Sequence, residues 1–164
     1  MEVRPIGFVA GSRQPATDDS WGGTEACIEL TAGYSAEALA GLAVFSHVEV
    51  LFAFHQVDPA QIETGARHPR NNPAWPRVGI FAQRAKNRPN RLDSTMCRLL
   101  RVCRLLRVAG AKLWVAEPDA IDGTPVLDVK PVMSEFLPRG PVRQPAWSHE
   151  LMRAYWDGPA GHAT

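Results

Sequence analysis

His47-Val-Glu-Val-Leu-Phe-Ala-Phe-His55 is an almost unbroken apolar run of nine residues, interrupted by Glu49. A strand covered on both faces loses the usual apolar and polar alternation, so this run reads as a strand at the centre of a sheet. Around it, Ile6 to Ala10, Ala26 to Thr31, Arg77 to Ala82, Ala111 to Ala116 and Pro125 to Lys130 read as further short strands, each bounded by Pro, Gly or Asp. Helical periodicity is confined to two short pieces. One is Ser35 to Leu42, with Ser35 as N-cap and Gly41 near the end; the other is Ser148 to Trp156. Many short strands with turn punctuation and little helix imply a mostly β chain folded as a small barrel or a sandwich, not alternating β-α-β units.

The segment Cys97 to Val108 writes Cys-Arg-Leu-Leu-Arg-Val twice. Arginines every three residues drift around a helix, and in a flat strand they alternate between faces, so periodicity leaves this segment open between strand and helix. After Pro138, the prolines at 141 and 145 form a stiff linker to the second short helix. The expected division is therefore a barrel over 1–137 and a linker with a helix over 138–164.

The 164 residues suit one domain with at most a small appendage, and 45% hydrophobic against 21% charged residues excludes a disordered or coiled-coil chain. No apolar run approaches the roughly 18 residues of a membrane span, and the first ten residues lack signal-peptide order, so a cytoplasmic protein without membrane contact is expected. Cys27, Cys97 and Cys103 are an odd set without a C-x-x-C pair, which indicates reduced core thiols and no metal site.

The formal charge of +1 argues against a nucleic-acid partner only if the charges are mixed. They are segregated: Arg67 to Arg107 holds eleven basic residues and the single acid Asp93, leaving seven basic and sixteen acidic residues elsewhere. Such a segment suits a polyanion such as RNA, where clustered cations gain from counterion release, or a solvated surface paired with acids from other parts of the fold.

Phosphate-loop, dinucleotide and hydrolase-elbow fingerprints are absent. His47 and His55 share a strand face but lie about 26 Å apart at strand rise, too far to share a metal. His55 and Gln56 end the central run, where functional side chains tend to be displayed. The loop Arg84-Ala-Lys-Asn-Arg-Pro-Asn-Arg91 carries four cations that could hold an anion, or simply be solvated. Asp119 and Asp122 sit at a turn before Gly123, placed to bind a ribose diol, act as a base, or cap the turn.

At these residues the chain resembles a known family. Pro5-Ile-Gly7, Phe45-Ser-His47, Leu51-Phe-Ala-Phe-His-Gln56, Val78-Gly-Ile-Phe-Ala82, Arg88-Pro-Asn90 and Asp119-Ala-Ile-Asp-Gly-Thr-Pro-Val-Leu-Asp-Val-Lys-Pro131 are similar, in order, to the TsaA-like (YaeB) family of S-adenosylmethionine-dependent tRNA methyltransferases. The resemblance spans roughly residues 5 to 135. It implies a small β-barrel, a homodimer with the cofactor near the subunit interface, and methyl transfer to the exocyclic amine of threonylcarbamoyl-adenosine beside the tRNA anticodon. Carried over position by position, it implies cofactor contacts from Arg13, Gln14 and Pro15, from His55 and Gln56, from Arg84, from Arg88, Pro89 and Asn90, from Ser94, and from Asp119 and Asp122. The proton acceptor stays open among His55, Asp119 and Asp122.

Three departures qualify the match. Asp93 stands where the family usually has glycine, a position at which positive φ is expected to be tolerable for aspartate. The second hexapeptide copy resembles a six-residue insertion, and because six is even it is expected to leave the strand's faces in register. The tail resembles a shorter subgroup without the extra domain of longer members. Two alternatives therefore accompany the tRNA reading: methylation of a smaller substrate, and an inactive barrel that binds cofactor or RNA.

Overall fold

The structure, a computed structural model, describes residues 2–104 and 111–158. Eight strands form, in chain order β1 (Gly7–Ala10), β2 (Glu25–Leu30), β3 (His47–Ala53), β4 (Ala66–Arg67), β5 (Val78–Gly79), β6 (Leu92–Arg104), β7 (Ala111–Ala116) and β8 (Pro125–Pro131), followed by the single-turn helix α1 (Ala146–Leu151). Six of them close a barrel in the order β1-β2-β7-β6-β3-β8, every neighbouring pair antiparallel, while β4 and β5 make a separate two-stranded ribbon. The barrel alternative of the sequence reading is the one realised.

Inward positions alternate as a pleated strand requires: Val48, Val50 and Phe52 from β3, Ala26 and Ile28 from β2, Leu113 and Val115 from β7, and Val126 from β8 fill the interior. Burying each large side chain here is worth about 1.5 to 3 kcal/mol. A six-stranded barrel is narrower than the eight-stranded ones whose interior side chains just fill. The lumen is therefore core, and a ligand must be taken up at an end or on the outside.

The tandem hexapeptide is strand through Arg104, and its second copy continues into 105–108, outside the described residues. Pairing with β7 shifts between Leu99 and Arg101, which leaves Leu100 as a bulge. The extra residue reverses the alternation. Leu99 and Val102 both pack on the core, while Arg98 and Arg101 are both exposed, so the three-residue spacing places these two arginines outside together. The guanidinium of Arg101 lies over the Trp114 ring, 4.3 Å from its centroid. The expectation that an even insertion leaves the faces in register is corrected by this bulge: Cys97 is in the core, but Cys103, six residues on, is partly exposed and opposite Lys112.

Three shorter expectations are corrected too. Ser35 to Leu42 forms no α-helix; Ser35 caps a 3-10 turn (Ala36–Leu39), and Gly41 at φ 82° starts another (Leu42–Val44). Arg77 to Ala82 is strand only at Val78–Gly79, because Ile80 turns inward in a 3-10 turn that leaves Phe81 exposed. The C-terminal helix begins two residues early and stops at Leu151. No described helix is long and apolar enough to cross a membrane.

Candidate active site

Antiparallel closure gathers three connections at one barrel end. The β1–β2 loop (11–24), the chain from β3 into β6 (54–91) and the β7–β8 turn (117–124) all leave or enter strands on that side. The residues expected to form the site lie in these three connections or at the start of β6, although they are spread over more than a hundred positions.

Asp119 is the centre of charge there. Burial, aided by the negative charge of Asp93, pushes its carboxyl up to about 6, against the opposing pull of a hydrogen bond from Tyr155 and the positive charges of Arg84 and Arg13. The Tyr155 phenol Oη donates to Asp119 Oδ2. Asp122 is differently occupied. Its Oδ1 accepts from the Gly11 backbone N–H at 2.8 Å and its Oδ2 from Gln14 Nε2 at 2.9 Å, while its own N–H donates to the Arg13 carbonyl at 3.0 Å. It latches the β1–β2 loop to the β7–β8 turn, as the turn-capping alternative requires. Gly123 has φ 76°, which glycine tolerates without strain, and a Cβ there would lie 3.8 Å from His55 Nε2. His55 and Gln56 are exposed at the mouth.

Arg13 is a brace. Its guanidinium lies over the Trp21 ring, 3.2 Å from the centroid, and donates to the carbonyls of Thr17, Asp19 and Ser20 at 2.9 to 3.1 Å. Its Nε is buried without a partner among the described residues. Pro15 is exposed and its carbonyl accepts from Thr17 N–H. Arg84 Nη2 contacts Asp93 Oδ1 at 2.5 Å and also donates to the Ser94 carbonyl. Ser94 joins the site through its backbone, since its N–H donates to Asp93 Oδ1 at 2.8 Å. Arg88 donates to the Gln83 carbonyl at 3.4 Å, and Pro89 and Asn90 are exposed at the turn. The buried Asn87 side chain donates to the Gln61 carbonyl at 3.0 Å and so holds this loop down.

Position 93 does not call on the tolerance for positive φ that aspartate offers; Arg91, at 54°, is the residue of this stretch in the left-handed region. Asp93 lies in β6 opposite Phe52, in ordinary strand geometry, with its side chain only 7% exposed against Arg84. Among the described residues, three members of the basic segment have acidic partners: Arg70 binds Asp19 at 2.7 Å and lies near Asp18, Lys86 faces Asp18, and Arg84 meets Asp93. Arg70 and Lys86 are thus balanced by acids from elsewhere and Arg84 by the segment's own Asp93, while exposed Arg98 and Arg101 lie on the outer wall.

Two site residues escaped the sequence reading. Trp21 and Tyr155 come together because Ser20, Trp21 and Gly22 N–H groups donate to the carbonyls of Ala154, Tyr155 and Asp157 at 3.1, 2.8 and 3.1 Å. The approach is close enough that a Cβ on Gly22 would meet the Trp156 carbonyl at 2.0 Å. The pair Gly22-Gly23 was the only local sign of it.

Comparison with known proteins places residues 8–136 on the tRNA-methyltransferase O N-terminal domain. A mouse protein, tRNA (adenine(37)-N6)-methyltransferase, is 36% identical over 99 residues, which cover 60% of this chain and 21% of that one. A probable S-adenosyl-L-methionine-binding protein of Methanothermobacter thermautotrophicus is 30% identical over 140 residues, 83% of this chain and 93% of that one. The crystal structure of TrmO from Pseudomonas aeruginosa superposes with a TM-score of 0.65 at 30% identity, covering 87% of this chain and 60% of that one. The chain spans about a fifth of the mouse and human relatives it matches.

Proposed function

Because the chain belongs to the tRNA-methyltransferase O N-terminal domain family, we propose that it is an S-adenosylmethionine-dependent methyltransferase acting on an exocyclic adenine amine of tRNA. The observation that carries the reading is Asp119, a mostly buried carboxyl with a raised proton affinity at the barrel end where the family's motifs converge.

The donor set fits the cofactor. A zwitterion with a positively charged sulfur needs cations for its carboxylate and anions or carbonyls for the rest, and Arg84 and Arg88 share one loop beside Asp93 and Asp119. The buried Arg13 Nε, a donor without a partner among the described residues, is a further group for a ligand to satisfy. When bound, S-adenosylmethionine supplies an electrophilic methyl group, and transfer leaves a neutral thioether. Arg88, with the Arg84 donors not taken by Asp93 and Ser94, would hold the ligand's carboxylate, and His55 and Gln56 border the mouth. Asp122 keeps the two loops in register. The acceptor nitrogen, whose lone pair is delocalised, gains the methyl group and loses a proton, and Asp119 receives that proton. Asp122 is less suited to this because both of its oxygens already accept hydrogen bonds.

Transfer of labelled methyl from the cofactor to tRNA lacking the modification is the test, read as methylated adenosine by nucleoside mass spectrometry. Identical nucleoside profiles from wild-type and deletion strains remove the tRNA assignment. The second reading, an inactive barrel that binds cofactor or RNA without transfer, has one specific support: Arg84, which would help to hold the cofactor in a productive pose, is partly engaged by Asp93. Calorimetric binding with no methyl transfer to RNA or small amines would select it.

A homodimer belongs to the same proposal. Met96, Met133, Phe136 and Leu137 line an apolar groove on the outer wall, edged by Glu49 and Lys130, and Phe136 is 82% exposed. A second copy presenting the same face is the partner such a patch suits. Sedimentation at a single-chain mass of 18.0 kDa across working concentrations would remove it.

A further inference from the structure

We propose that Tyr155 is the positioning residue of the site: its phenol holds the Asp119 carboxyl group in place, so the C-terminal segment is part of the machinery at the barrel end. The role rests on the methyltransferase reading; the contact itself does not.

The segment reaches the site by three backbone hydrogen bonds to residues 20–22, and a fourth contact pins the helix before it, where Trp75 Nε1 donates to Glu150 Oε2 at 2.9 Å. The Tyr155 ring also stands edge-on to Trp156, with centroids 5.1 Å apart. Among the described residues, Tyr155 is the side chain that donates a hydrogen bond to Asp119. The charged groups whose fields act on Asp119 are Asp93 and Arg84 from β6 and the loop before it, and Arg13 from the β1–β2 loop. The thiol of Cys97, itself pushed up to about 12 by burial, shares that environment.

A phenol suits this post for a chemical reason. A guanidinium bonded directly to a carboxylate lowers its proton affinity by about 1 to 3 units and would spoil it as a base. A phenol fixes the oxygen through a neutral donor and leaves the carboxyl able to accept a proton. Burial and the adjacent carboxylate push the Tyr155 phenol above its ordinary range, so it stays a donor at all working pH values. The bond satisfies one Asp119 oxygen and leaves the other for substrate.

The test compares the wild type with Tyr155→Phe, which keeps the ring and removes the donor. Carbon-13 NMR titration of the Asp119 carboxyl, assigned by its disappearance in Asp119→Asn, is run without cofactor. The wild-type midpoint is expected near 6, and loss of a donor to the charged form raises it in Tyr155→Phe by about half a unit or more. The acid limb of kcat against pH moves by the same amount, with KM little changed and kcat recovering at higher pH. An unmoved midpoint overturns the proposal. Should the variant not fold, the wild type alone decides: the Tyr155 ring Cζ resonance must shift with the Asp119 midpoint, and a Cζ blind to that transition overturns it. Absence of methyl transfer with the NMR coupling intact removes the methyltransferase reading and leaves the contact standing.

Discussion

Arg84 and Asp93, nine residues apart, meet at 2.5 Å with unequal exposure: the arginine side chain is 65% exposed and the aspartate 7%. The buried partner depends on the exposed one, because an ionised carboxylate out of water needs its counter-charge. Arg84→Ala should therefore destabilise the protein by about 1 to 3 kcal/mol and, if Arg84 also contacts the cofactor, weaken its binding by a similar amount. Adding Asp93→Gly should recover most of the stability but none of the affinity. Denaturant titration and calorimetry on the two variants separate the effects, and equal stability losses in both would show that Asp93 does not rely on Arg84.

Asp119 should make the protein less stable at alkaline than at mildly acidic pH. Its folded value of about 6 lies above the roughly 4 of an unperturbed aspartate, so the folded state binds the extra proton between these limits. Stability contributed by this group consequently falls as pH rises from about 4 to about 6 and stays low above it, by roughly 2 to 3 kcal/mol in all. Asp119→Asn removes the charge, and its melting temperature should exceed the wild type's at pH 8 while the difference narrows toward pH 4. A difference independent of pH would contradict the burial argument.

Gly22→Ala should detach the C-terminal segment. The added Cβ would sit 2.0 Å from the backbone carbonyl of Trp156, a contact no side-chain rotation relieves. Hydrogen exchange of the Trp21 amide, which donates to the Tyr155 carbonyl at 2.8 Å, should accelerate by at least an order of magnitude. Protection at wild-type level would mean that the loop yields instead.

Asp122→Ala should loosen the site without changing its proton chemistry. Two hydrogen bonds, from Gly11 N–H and Gln14 Nε2, are lost, at a cost of about 1 to 3 kcal/mol. The cofactor dissociation constant is expected to rise while the acid limb of kcat against pH keeps its midpoint. A shifted midpoint would transfer the base role from Asp119 to Asp122.

The strands were legible because alternation and apolar runs are properties of neighbouring residues. The sequence by itself determined β2, β3, β7 and β8 to within a residue or two, and the motifs from Arg88-Pro-Asn90 to Lys130-Pro131 pointed to the family. Only the tertiary structure decided what depends on approach through space. The Leu100 bulge, set by pairing with β7, puts Arg98 and Arg101 outside together when their spacing of three argues for opposite faces. Barrel closure separates Asp122, which latches loops, from Asp119, which is mostly buried, although both stand at one turn as a matched pair in the sequence. Tyr155 reaches Asp119 from 36 residues away because a tail behind a proline-rich linker folds back onto Trp21 and Gly22. Alternation is enforced by each residue's own backbone, whereas burial, charge pairing and proton affinity depend on neighbours that chain closure brings together.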